Sequence, residues 1–419
     1  MINNLNKFVN TGVHAVTLGS RFIFIFFLAK YLNPELIGFY GIFTATVGYS
    51  LYIVGLDFYT YVSREIIKVP PSQRGRFLKG QAALSGCIYI FFVPLVLLFL
   101  GKASWPGYMV WWFFPILLLE HFNQEISRLL VALSDQLAAS LIIFVRQGSW
   151  ALAIILLMSL NKNTRTLEWV MGMWMVAGLF AAGLGFWRLK KLKTGGWRQP
   201  IDWVWIKKGF FVSTVFMVAT LALRGVQTFD RYWLEALGSI ELVAAYVLLL
   251  GVAGTLLVFL DAAVFSFAYP ILIQYNHKGE HQAARKKVKQ MFIQTICISV
   301  AFGFISWLLL PYLLTWIGNT VYLENIHWYL WVLSAVIINS LGLVPHYALY
   351  ARGKDRVIVY SHIFSLFIFC LATWYFSFQY SAFSVVIGLN MAFFAIFIWK
   401  LYAYIVLIKE ENSSSFAIL

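Results

Sequence analysis

Three arginines stand inside otherwise apolar stretches of this 419-residue chain: Arg21, Arg146 and Arg224. A charge at mid-bilayer depth costs about 2.5–3.5 kcal/mol on insertion scales, so it faces a bundle interior or water. A guanidinium grips phosphate or carboxylate through a planar fork of N–H donors. Two chemistries are therefore open to the set. Each arginine can be paired internally with Asp57, Glu120 or Asp261, or the three can line a cationic cavity for a phosphate-bearing substrate. Glu120 heads the densest polar cluster, which also holds His121, Asn123, Gln124, Glu125 and Arg128. Helical spacing puts Glu120, Gln124 and Arg128 on one face, and lets Glu125 bond to Arg128 at i, i+3. A carboxyl group near mid-membrane can carry a proton, so Glu120 is a candidate for coupling or gating, with a hydrogen-bonded structural role as the plain alternative. Asp57 and Asp261, near the inner ends of their spans, are further candidates for coupling or for an inner gate. His14, His346 and His362 lie in apolar contexts and read as packing groups. Cys87, Cys297 and Cys370 are far apart and outside any C-x-x-C spacing, so neither a disulfide nor a metal site is expected, and no cofactor is called for.

The elements that must position these residues are set by composition. Hydrophobic residues make up 61% of the chain and charged ones 12%, where a soluble protein carries about 25%. Mean hydropathy is +0.78. These values exclude a soluble enzyme, a nucleic-acid-binding domain and a disordered chain, and an outer-membrane barrel is far less apolar. Apolar runs of about 20 residues predict twelve spans: 11–31, 37–62, 81–101, 108–129, 139–160, 167–187, 209–229, 241–266, 291–313, 325–348, 357–378 and 382–408. The first reads as a spanning helix and not a cleaved signal peptide. The expected fold is an all-α polytopic membrane protein of about twelve transmembrane helices.

The formal charge of +15 comes from Lys and Arg gathered on alternate connections: Arg64 to Lys79, Arg188 to Lys208, Lys278 to Lys289, and a last group of Arg352, Lys354, Arg356, Lys400 and Lys409. The positive-inside rule puts those connections, and both termini, in the cytoplasm. Opposite connections such as Asn33–Leu36, Asn161–Thr166 and Gln379–Ser381 are little more than turns. No soluble domain is inserted, so any chemistry belongs to the bundle.

The longest inner connection, Arg188–Lys208, divides the chain into an N-terminal lobe, 1–195, and a C-terminal lobe, 196–419, of six helices each. Its Trp197, Trp203, Trp205, Lys207 and Lys208 read as an interfacial elbow more readily than as a ligand site. A repeat supports the division. Glu35, Leu36 and Tyr40, opening the second span, recur at the same spacing as Glu241, Leu242 and Tyr246, opening the eighth. Lobes of six helices share one orientation, so a pseudo-twofold axis along the membrane normal is expected, with substrate bound between them.

The segment Phe27-Leu28-Ala29-Lys30-Tyr31-Leu32-Asn33-Pro34-Glu35-Leu36-Ile37-Gly38-Phe39-Tyr40-Gly41 resembles the first turn of Wzx-type polysaccharide (O-antigen, lipid-linked oligosaccharide) flippases. Gly55-Leu56-Asp57 with Arg64-Glu65-Ile66, and Asp230-Arg231-Tyr232-Trp233-Leu234 with Ala245-Tyr246, are similar to later motifs of that family. The resemblance implies the polysaccharide transporter family of the multidrug/oligosaccharidyl-lipid/polysaccharide (MOP) exporter superfamily. It implies a bacterial inner-membrane protein, not an enzyme, that turns an undecaprenyl-diphosphate-linked sugar unit from the cytoplasmic to the periplasmic leaflet by alternating access. It further implies Arg21, Arg146 and Arg224 as cavity residues, and as partners membrane lipids, a polysaccharide polymerase and a chain-length regulator, with no nucleic acid. Two alternatives stand beside it. A multidrug/cation antiporter of the same superfamily would want an acid in the first helix, where Arg21 and His14 stand. A membrane glycosyltransferase or polymerase would want a sizeable periplasmic loop.

Overall fold

The computed structural model describes residues 2–101 and 105–416, and among them the chain is helical with no strand. It divides into two compact units, Met1–Met217 and Val218–Leu419.

In the first unit α1 (Ile2–Tyr31) and α2 (Pro34–Gly55) are joined by a two-residue turn. Asn33 is extended and Pro34 occupies the first turn of α2, where a missing N–H costs nothing. A short α3 (Tyr59–Ile66) follows, then α4 (Arg74–Leu100) and α5 (Gly107–Ala132). Next, α6 (Gln136–Phe144) runs through a π-helical turn, Val145–Ser149, into α7 (Trp150–Leu160), and α8 (Leu167–Lys191) completes the set. The connection after α8 is pinned to the start of α4. Gly195 accepts from the Gly75 N–H at 2.6 Å and donates to the Pro71 carbonyl at 2.8 Å. Lys79 Nζ donates to the carbonyls of Trp197 and Gln199. Gly196, at φ +88°, lies so close to the backbone of Ser72 and Gln73 that a side chain would strain both fold and contact. Trp205 packs its ring against Phe58, Tyr61 and Phe77.

The helix α9 (Trp203–Leu237) begins in the first unit and ends in the second. The second unit continues with α10 (Ile240–Leu260), a π turn at Asp261–Phe265 and α11 (Ser266–His277). It ends with α12 (His281–Ile317), the short α13 (Thr320–Glu324), α14 (Tyr329–Tyr350), α15 (Asp355–Tyr380) and α16 (Ser384–Phe416). The last three pack along one another.

Among the described residues nine stretches are long and apolar enough to cross a membrane, or ten with the bent α9. The expected spans fall on helical segments, except that the second, 37–62, is broken between the end of α2 at Gly55 and the start of α3 at Tyr59. The last stretch, Asp355–Asn412, contains two of them, α15 and α16. The fourth, α5, is 26 residues long but carries Glu120, Glu125 and Arg128 in its length. The repeated motif opens a helix in each unit: Pro34–Tyr40 begins α2 and Ile240–Tyr246 begins α10. Tyr40 and Tyr246 are both buried, and Tyr246 donates to Asp230 Oδ2 at 2.6 Å.

The halves diverge after that. Helix α2 stops at Gly55, and Leu56 and Asp57 both adopt left-handed backbone at φ 50°. Asp57 is thereby buried. Asp261, which the repeat sets two positions out of register with Asp57, opens a π turn in a helix that continues to His277, and it is exposed. The two aspartates are not structural equivalents.

Candidate functional site

A cavity of about 320 Å³ opens within the first unit, bounded by α1, α2, α5, the π turn, α7 and α8. Its polar wall comes from Arg21, Glu120, Arg146 and Gln147, and its aromatic wall from Phe24, Tyr40, Trp150 and Trp174. The π turn builds much of it. Both Arg146 and Gln147, adjacent within this turn, line the cavity.

Arg146 is buried, and its Nε lies 3.2 Å from Glu120 Oε2. The other carboxylate oxygen of Glu120 accepts from Trp174 Nε1 at 2.8 Å. Arg21 is exposed and donates from its terminal NH1 to Gln147 Oε1 at 3.1 Å. Two guanidiniums therefore share the cavity with one carboxylate, which leaves a net positive charge. The Trp150 and Trp174 rings stack with centroids 5.5 Å apart and planes at 6°. Phe24 meets Trp150 edge-on at 5.0 Å, and Tyr40 leans on Trp174 at 6.5 Å. Trp150 Nε1 is already engaged by the Arg146 carbonyl at 2.9 Å, so the ring is fixed in place. Chemically, the site offers a charged fork at the mouth, a neutralised pair at depth and flat apolar faces for stacking.

Arg146 has its ion pair with Glu120, and Arg21 and Arg146 line one cavity. Arg224 does not join them there. It lies in the second unit, on α9, where its own side chain is exposed, and it donates to Gln227 Oε1 one turn away. Asp57 lies outside the cavity, and a second polar network joins Gln81, Glu125 and Arg128, with the Arg128 guanidinium over the Tyr59 ring. There Glu125 holds Arg128 at 2.8 Å, at the i, i+3 spacing expected from the sequence. Asp261 lies in the second unit and takes no part in the cavity of the first. Among the described residues no group of three or more His, Cys, Asp or Glu is placed to hold a metal ion.

The sequence reading missed Gln147, Trp150 and Trp174. The 17 tryptophans of the chain hide two that stack, because belt tryptophans are common in membrane proteins. Gln147 beside Arg146 was the available signal, two adjacent polar residues in an apolar run. Lys400 is also placed differently from expectation. It is buried in α16, not part of a basic connection.

No protein-family model matches the chain, and no curated protein matches it by sequence. Solved structures match over nearly the full length. An inward-facing multidrug resistance MATE family transporter of the MOP superfamily is similar with a TM-score of 0.78 at 12% identity, covering 96% of each chain. A mutant of the Vibrio cholerae MATE transporter VcmN matches with a TM-score of 0.60 at 15% identity, covering 96% of this chain and 98% of that one. A MOP superfamily transporter from Pyrococcus furiosus, described with a binding pocket of reversed polarity that suggests a different function, matches with a TM-score of 0.59 at 13% identity, covering 98% and 94%. The fold of this chain is therefore MATE-like, with two lobes of six helices in a multi-pass membrane protein.

Proposed function

We propose that this chain is an alternating-access transporter whose first-unit cavity receives the anionic group of an amphipathic substrate, in the finest reading the diphosphate of an undecaprenyl-linked sugar unit. The observation that carries the reading is the charge of the cavity, two guanidiniums against one carboxylate. Because Glu120 already neutralises the charge of Arg146, the exposed Arg21 is the group left to meet a phosphate, its fork only partly used by Gln147. The stacked tryptophans suit the apolar face of a sugar ring. The polar head requires such a passage, since hydrocarbon offers no hydrogen bonds, while a polyprenyl tail stays in lipid.

A second reading is favoured by the fold. The similar solved structures are mostly MATE transporters, one of them described as a multidrug resistance transporter, and by fold alone a multidrug/cation antiporter is better supported than a flippase. Glu120 with the faces of Trp150, Trp174 and Tyr40 also suits an organic cation. The two readings differ in the sign of the ligand. Equilibrium binding of undecaprenyl diphosphate and of tetraphenylphosphonium to the full chain in nanodiscs separates them. The anion reading expects the diphosphate to bind and Arg21→Ala to weaken it about tenfold or more, the scale of a lost charge-assisted hydrogen bond. Saturable binding of the cation alone, weakened by Glu120→Gln and strengthened by Arg21→Ala, would install the second reading in its place.

A further inference from the structure

In the second unit, far along the chain from the cavity residues, three basic side chains from three helices meet at one buried point. Lys400 of α16 is 2% exposed, and its Nζ lies 3.2 Å from His346 Nδ1 of α14 and 3.0 Å from His362 Nε2 of α15. The two imidazole rings are parallel, with planes at 4° and centroids 6.1 Å apart, so that both present a nitrogen to the same ammonium. His346 is backed by the Tyr350 ring at 6.1 Å and the Tyr347 ring at 5.6 Å.

The chemistry of this cluster differs from that of three partly buried guanidiniums of the same unit. Arg231 faces Asp230, and Arg285 and Arg352 both face Glu411. Those are guanidiniums, which do not deprotonate in proteins, held by carboxylates that fix the charged form. Lys400 faces two imidazoles, and among the described residues no carboxylate lies within ion-pair distance of it. An ammonium has donors only, so both nitrogens that receive its hydrogen bonds must be bare. The cluster then carries one proton beyond its neutral form. Removing that proton leaves an amine and two neutral rings, with no carboxylate left uncompensated in the interior. Moving it from Nζ to His346 Nδ1 or His362 Nε2 breaks one N–H bond and forms another over a hydrogen-bond length. Two packing histidines would account for neither the lysine nor the convergence of their nitrogens on it.

We propose that Lys400, His346 and His362 form a proton-binding site inside the second unit, which loads and releases a single proton as the surroundings change. The groups facing Lys400 are His346 from α14 and His362 from α15; from α14, Tyr347 and Tyr350 stand behind the first ring. The site lies one to two helical turns from the Ala351–Lys354 connection, a short distance for a proton to travel from that surface. A gradient-driven transporter draws on a site of this kind, and this one is independent of what the first-unit cavity binds.

The test uses the full chain with 15N-labelled lysine side chains, in lipid nanodiscs, titrated by NMR between about pH 5 and about pH 9, the range in which histidine and perturbed lysine change charge. Lys400 is assigned by the resonance missing from Lys400→Arg, and independently from Lys400→Met in case one variant fails to fold. The expected result is a Lys400 signal that crosses from ammonium to amine within that range, with the crossing displaced by about one pH unit or more in His362→Asn and in His346→Asn. A Lys400 signal that keeps one form throughout, or a crossing that neither histidine variant moves, overturns the proposal.

Discussion

Glu120 and Arg146 are the residues on which the first-unit site turns. Their ion pair is buried, and a Trp174 N–H completes the carboxylate. Removing one partner of such a pair costs about 3–5 kcal/mol, because the other is left charged and unmatched, while removing both together costs much less. Glu120→Ala is therefore expected to lower the thermal stability of the purified protein markedly, and Glu120→Ala/Arg146→Met to recover most of the loss. Glu120→Gln, which keeps an acceptor for Trp174, is expected to fall between. Equal losses for the single and double variants in a thermal unfolding assay would mean that the pair is not energetically coupled. At this scale the sequence was partly legible. Arg21, Arg146 and Glu120 stood out because charges are rare in apolar runs, and they do meet. The Lys400 cluster was not legible, because its members come from three helices. Read singly, two are packing histidines and one is a basic residue near the chain end.

At the scale of elements, the π turn Val145–Ser149 does most to shape the cavity. Gly148 brings it against α1. A Cβ there would approach the Thr17 Cα at 3.2 Å and the Phe144 ring at 2.9 Å. Gly148→Val is expected to push the turn away from α1, separating Gln147 from Arg21. The predicted cost is about 1–3 kcal/mol from overpacking, together with weaker binding of whichever probe the cavity accepts. Thermal unfolding and the binding assay together check this, and a variant with wild-type values in both would show that the close approach is inessential. The twelve helices were legible because each is an apolar run of the right length, and the charged α5 was recovered because its apolar flanks remain long. The π turns were not legible, since hydropathy is blind to one extra residue in a turn. Nor was the left-handed break at Leu56–Asp57, since neither residue is a glycine.

At the scale of the whole molecule, the fold belongs with MATE-like transporters while the first-unit cavity carries positive charge, and the substrate question lies between those two facts. The multidrug reading rests on resemblance of architecture, and the anion reading on Arg21, Arg146 and the single carboxylate between them. Function is carried by sites and not by folds, so the charge of the site is the more specific guide. The most direct measurement is leaflet exchange in proteoliposomes holding the full chain, followed with a fluorescent undecaprenyl-diphosphate lipid whose outer-leaflet label is bleached chemically. The account predicts exchange well above protein-free vesicles, reduced about tenfold or more by Arg21→Ala. Exchange no faster than in empty vesicles, in the same preparation that accumulates tetraphenylphosphonium against a gradient, would contradict it.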